Sequence, residues 1–152
     1  MKPKGNILEF TLARILDLYS IYCREIRTSN FVRMSDIATN IVNSPARRFY
    51  VSEERAAIVI SAMYQSRKIP TNMNSNKLEM FIEIFKRVKS LRSDNPKLSI
   101  FEAVCAVVNS PAPKFYMQPR SAIDIIYKIK NGYFDSIFKM DIYEYVRNRK
   151  HN

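Results

Sequence analysis

With 152 residues, 47% of them hydrophobic, the chain suits one ordinary domain or two very small ones and is too apolar for disorder. Two glycines are too few for the turns of an all-β fold, which leaves helices. The net charge of +11 attracts polyanions, of which nucleic acid is the commonest in cells, although lysine and arginine also serve solubility alone.

The chain opens with MKPKGNILEF, a basic start with no apolar run behind it, so no secretory signal is expected. No stretch approaches the length of a membrane span, and a cytoplasmic protein is the expectation. Leu8, Leu12, Ile15, Leu16, Tyr19, Tyr22 and Ile26 are spaced by three and four residues, which predicts a helix with one buried face. Ser35 and Asp36 open a short second helix through Ile37, Ala38 and Ile41. Pro45 ends it, because proline disfavours helical geometry in the residue before it and donates no backbone bond. A third helix is expected from Ser52, with Ala56, Val59, Ile60 and Met63 inward.

The same order then recurs. VNSPARRFY, from Val42 to Tyr50, returns as VNSPAPKFY from Val108 to Tyr116, an offset of 66 residues. At that offset and without a gap, Leu12 falls on Leu78, Ile15 on Phe81, Tyr19 on Phe85, Asp36 on Glu102, Ile41 on Val107 and Ile60 on Ile126. The first helix of the second copy carries Leu78, Phe81, Ile82, Phe85, Val88 and Leu91. Its second helix opens with a capping box, Ser99 with Glu102, and runs through Ala103, Val104 and Val107. Its third begins at Gln118 with Pro119 at the first helical position, where the missing N–H costs nothing, and buries Ala122, Ile125, Ile126 and Ile129. A final helical stretch, FDSIFKMDIYEYV, follows Gly132, with Phe134, Ile137, Phe138, Ile142 and Tyr145 as its apolar residues. The expected fold is therefore all-α: two tandem, similar three-helix units at 8–66 and 74–132, joined by IPTNMNSN, with a C-terminal helix and basic tail at 133–152.

Long helix, short helix, turn, helix is an order that resembles the helix-turn-helix family of DNA-binding domains, over about 57 residues per unit. The connection from Asn43 to Val51 is longer than that family's three- or four-residue turn. The repeated phrase also resembles one in small uncharacterised proteins of gut Bacteroidetes and their phages. The helix-turn-helix resemblance implies double-stranded DNA as the partner, with the third helix of each unit meeting the major groove. A transcriptional regulator or a phage DNA-associated protein fits it. Arg47, Arg48 and Lys114 then stand at the mouths of the third helices, where the helix N-terminus also favours an anion. Tyr50 and Tyr116 either fill the core or put a hydroxyl on phosphate, and Arg48 and Lys114 are equally compatible with plain solvated charge. Gln118, Arg120 and Ser121 suit base edges or backbone, whereas Glu53 and Glu54 beside Arg55 repel phosphate, so the second third helix is expected to give more specificity than the first. Further basic groups are Lys86, Arg87, Lys89 and Arg92, and Arg147, Arg149 and Lys150 near the end.

No catalytic constellation is visible. The one histidine, His151, is next to the C-terminus, Cys23 and Cys105 are far apart, and no glycine-rich phosphate loop exists, so neither metal, cofactor nor enzyme activity is expected. The two cysteines are expected to be buried free thiols in a reducing compartment. Two other partners remain open: a protein or a second copy, met through an apolar patch near Tyr143 and Tyr145, and RNA, met by stacking on outward Tyr50 and Tyr116.

Overall fold

A computed structural model describes residues 5–28, 33–66 and 73–149. Arg67, Lys68, the first half of the joint between the repeats, Lys150 and His151 lie outside the described residues. The fold is all-α: α1 (Gly5–Thr28), α2 (Met34–Val42), α3 (Glu53–Ser66), α4 (Ser75–Asp94), α5 (Ile100–Val108), α6 (Pro119–Lys130), α7 (Tyr133–Phe138) and α8 (Ile142–Arg149).

Most boundaries follow local chemistry. The Asn74 side chain accepts from the Lys77 N–H at 2.9 Å and starts α4. Ser99 and Glu102 form the expected capping box at α5, and Pro119 occupies the first turn of α6. Ser52 lies just before α3 and its hydroxyl accepts from the Arg55 N–H. At α2 the expectation fails by two residues: Arg33 is the N-cap, with no side-chain cap, and Ser35 and Asp36 already lie in the first turn.

The C-terminal stretch is two helices rather than one. Lys139 adopts a left-handed backbone, φ 53°, and ends α7. The Asp135 carboxylate then accepts from the Ile142 N–H, and the Asp141 carboxylate from the Glu144 N–H, so α8 is nucleated afresh. Of the apolar residues expected to pack there, Ile142 is buried, together with Val146, while Ile137 and Tyr145 are exposed.

The compact units cut across the repeat boundaries. One unit is continuous, Pro45–Tyr116, and holds α3, α4 and α5. The other is split, Met1–Ser44 with Met117–Asn152, and holds α1, α2, α6, α7 and α8. In the continuous unit α3 packs on α5 and α4; in the split unit α6 packs on α2 and α1, and α7 and α8 pack beside it. Each three-helix core thus takes its first two helices from one repeat and its third from the other. The divisions 8–66 and 74–132 are sequence repeats, not compact units.

The inward faces follow the predicted periodicity in part: Ile82, expected in the buried stripe of α4, is exposed, and Leu78, Phe85, Leu91 and Ile125 are half-buried. In the continuous unit Ala56, Val59, Ile60 and Met63 meet a core with Phe81, Ile84, Val88, Val104 and Val108. In the split unit Ala122, Ile126 and Ile129 of α6 are buried with Ile37, Ile41, Leu18 and Tyr19. Ile26, expected in the buried stripe of α1, is exposed instead, on its last turn.

Replacing Ser99 by alanine removes the α5 cap and is expected to cost about 1 kcal/mol in urea unfolding. The Glu102 carboxyl is held below its ordinary value by the Ser99 backbone N–H and hydroxyl. A depressed folded-state value means that the ionised form stabilises α5, so this contribution is present above the ordinary carboxylate range and vanishes as pH falls through the folded value. The stability gap between the parent and Glu102→Gln should therefore close on acidification; a gap constant down to pH 2 would contradict this role.

Candidate nucleic-acid interface

The second copy of the repeated phrase and the first copy from Pro45 onward lie in the continuous unit as two antiparallel arms. Ala46 and Ala112, equivalent residues of the two copies, exchange both backbone bonds: the Ala46 N–H donates to the Ala112 carbonyl at 3.0 Å, and the Ala112 N–H donates back at 2.9 Å. Phe49 stacks on Tyr116 and Tyr50 stacks on Phe115, with centroids 6.0 and 5.9 Å apart and both ring pairs inclined by 16°. These pairs are interchanged by the 66-residue offset, so the arms are related by a local twofold. The phrase is said twice because each arm is the other's partner.

That pairing occupies most of the basic and aromatic groups expected to meet phosphate. Arg48 Nε donates to the Phe49 carbonyl and its terminal nitrogen to the Val51 carbonyl, both at 3.0 Å, so its guanidinium closes its own arm. The Lys114 ammonium is ion-paired with Glu79 and lies over the Tyr116 ring, 5.5 Å from its centroid. Burial, with Glu83 and Glu79 nearby, pushes the Tyr116 hydroxyl up to about 12, so it stays neutral. Tyr116 also has a left-handed backbone, φ 57°, at the residue where the chain leaves the continuous unit. A non-glycine residue there carries strain of about 1–3 kcal/mol. Its ring contacts with Phe49 and Lys114 hold that geometry. Tyr50 and Tyr116, named for base stacking by RNA, are half-buried and each carries a phenylalanine ring on one face.

Arg87 clasps both arms, a role the sequence did not suggest. It sits over the Phe49 ring, 5.1 Å from guanidinium carbon to centroid, and donates to the Pro111 carbonyl at 2.8 Å. Glu83, one turn earlier, holds it at 2.7 Å. The equivalent residue of α1 is Ile21, so this clasp belongs to one copy alone.

Of the other expected contacts, Arg47 and Arg55 are exposed in the continuous unit, and Gln118, Arg120 and Ser121 are exposed at the start of α6 in the split unit. The two third helices present different outward faces. That of α3 carries Glu54, Arg55, Ile58 (63% exposed), Ala62 and Gln65. Glu53 accepts from the Asn109 side chain at 2.8 Å, and burial, with Glu53 beside it, pushes the half-buried Cys105 thiol upward. Cys23 is half-buried too, so neither thiol is fully enclosed, and no disulfide joins them.

The outward face of α6 continues well past Ser121, through Asp124, Tyr127, Lys128 and Asn131. Positions 120, 124, 127 and 131 recur at three and four residues, on the side opposite Ala122, Ile126 and Ile129. That spacing was available in the sequence and marks Tyr127 and Lys128 as part of the same face. Arg120 and Asp124 are 3.7 Å apart and largely exposed, an ion pair that water and salt hold weak. The Lys128 ammonium lies 5.0 Å from the Tyr133 centroid.

No family profile, curated protein or solved structure matches the chain. Among the described residues no group of three or more metal-binding side chains gathers, and no helix is long and apolar enough to cross a membrane.

Proposed function

We propose that this is a non-enzymatic, cytoplasmic double-stranded DNA-binding protein that offers the outward face of α6 to the duplex. The observation that carries the reading is the face itself. Arg120, Ser121, Tyr127 and Lys128 all point to solvent from a helix whose other side is anchored on α2 and α1. An α-helix is about 10–12 Å across with its side chains, the width of the major groove. Arg120 and Lys128 suit phosphate or guanine, Gln118 suits adenine, and the net charge of +11 favours any phosphate contact. In the split unit α1 and α2 support a third helix that comes from the other repeat. A transcriptional regulator and a phage DNA-associated protein are the two roles this reading suits.

A second reading, an adaptor or virion component that binds protein or a second copy, has its own support. Tyr133, Ile137, Tyr143 and Tyr145 are 53%, 47%, 50% and 42% exposed on α7 and α8. Fluorescence anisotropy with labelled random duplex DNA separates the two. DNA binding predicts micromolar affinity at low salt and a log affinity that falls linearly with log salt, by about 0.9 per phosphate engaged. No binding at the lowest salt overturns the DNA reading and leaves the adaptor.

A further inference from the structure

The 66-residue offset supplies an internal control, because α1 and α4 are equivalent helices in different surroundings. In the split unit α8 packs on α1 and α6. Ile142 and Val146 are fully buried there, and Tyr143 meets Tyr19 edge-on, with centroids 6.4 Å apart. The face of α1 is accordingly closed: Leu16 is 9% exposed and Tyr19 1%. Their equivalents on α4 are Ile82, 40% exposed, and Phe85, half-buried. The continuous unit has no counterpart of α8, since the offset places residues 142–149 on 76–83, inside α4 itself.

The charges around this open face differ as well. Lys86 and Lys89 are exposed one and two turns beyond Ile82, and the Lys89 ammonium lies 5.2 Å from the Phe85 centroid. Tyr64 of α3 meets Phe85 edge-on at 5.0 Å, and the Arg92 guanidinium lies 5.2 Å from the Tyr64 centroid. The positions equivalent to Lys86, Lys89 and Arg92 on the covered helix are Ser20, Cys23 and Ile26, all uncharged. The acidic residues on this part of α4, Glu79 and Glu83, are already paired with Lys114 and Arg87.

We infer that the α3–α4 face around Ile82, Phe85 and Tyr64 docks an acidic amphipathic helix from a partner protein, in the place that α8 fills in the split unit. The apolar pair on such a helix replaces Ile142 and Val146, and its carboxylates meet Lys86 and Lys89. A second copy of α8 is the wrong occupant, because Arg147 and Arg149 outnumber Glu144 and bring like charge to like. The inference is independent of the DNA reading, whose residues are on α6.

The test uses the full chain and two designed, labelled peptides of about 18 residues, long enough for a helix. One carries leucines at alternating three- and four-residue spacing on a glutamate-rich background; the other has lysine in place of every glutamate. The acidic peptide should bind and the basic one should not. Ile82→Ser, at a site exposed enough to tolerate it, should weaken the acidic peptide by at least about tenfold and leave duplex DNA affinity unchanged. Lys86→Glu with Lys89→Glu should exchange the preference between the two peptides. Equal binding of both peptides, no binding of the acidic one, or binding indifferent to these substitutions overturns the inference. So does a dimer in sedimentation that Ile82→Ser dissociates, because a second copy would then be the occupant.

Discussion

Phe49→Ala should lower the unfolding free energy by about 3–5 kcal/mol, the range for deleting a fully buried aromatic ring. Phe49 is completely buried, and three contacts converge on it. Its ring stacks on Tyr116, the Arg87 guanidinium covers it, and its N–H donates to the Val108 carbonyl at 3.0 Å. Removing the ring leaves a cavity where the two arms cross and takes away the support that keeps Tyr116 in its left-handed conformation. Phe115→Ala should cost a similar amount, because Phe115 is 4% exposed and stacks on Tyr50. Arg87→Met, which keeps bulk and loses the clasp, should cost less, about 1–2 kcal/mol, since the guanidinium is partly exposed. Urea unfolding of the three variants checks the ranking. A Phe49→Ala loss under about 1 kcal/mol would mean that the arms do not hold the fold together.

The second large effect concerns α6. Arg120→Glu combined with Lys128→Glu should reduce duplex affinity about a hundredfold at low salt, as two phosphate contacts become two repulsions. The slope of log affinity against log salt should flatten by about two phosphate contacts' worth. Arg55→Ala should change affinity less than about threefold, because the face of α3 carries Glu54 and exposed Ile58 beside it. Both α6 substitutions lie on exposed positions, so the fold should survive them. Equal losses for Arg55→Ala and the α6 pair would contradict the assignment of α6 as the reader.

Helix content, the starts of α3, α5 and α6 and most of the inward faces were legible because each depends on residues within a turn or two. Ser99 with Glu102, and Gln118 before Pro119, act locally and behave as their chemistry predicts. The repeat was legible for the same reason. The exchange of third helices was not, because either repeat's third helix carries a matching apolar face: Ile60 and Ile126 are equivalent and equally buried. Patterning says that a helix must bury that face and is silent on which copy receives it. The intramolecular partners of Arg48 and Lys114 were not legible for a related reason. An arginine before a helix looks the same whether it meets phosphate or, like Arg48, turns back on its own carbonyls. Tyr127 and Lys128 were within reach of periodicity, since they continue the line through Arg120. The break at Lys139 was harder, as its signal is a pair of aspartate caps, Asp135 and Asp141, inside an otherwise helical pattern.

The most direct test is an amide-shift titration of the isotope-labelled chain with a short duplex. Shifts concentrated at Gln118, Arg120, Ser121, Tyr127 and Lys128, and quiet along Arg55, Ile58 and Gln65, are the predicted result. Shifts centred on α3, or equally on both third helices, would contradict the proposal that α6 reads the duplex. A spectrum unchanged by DNA would contradict the function itself.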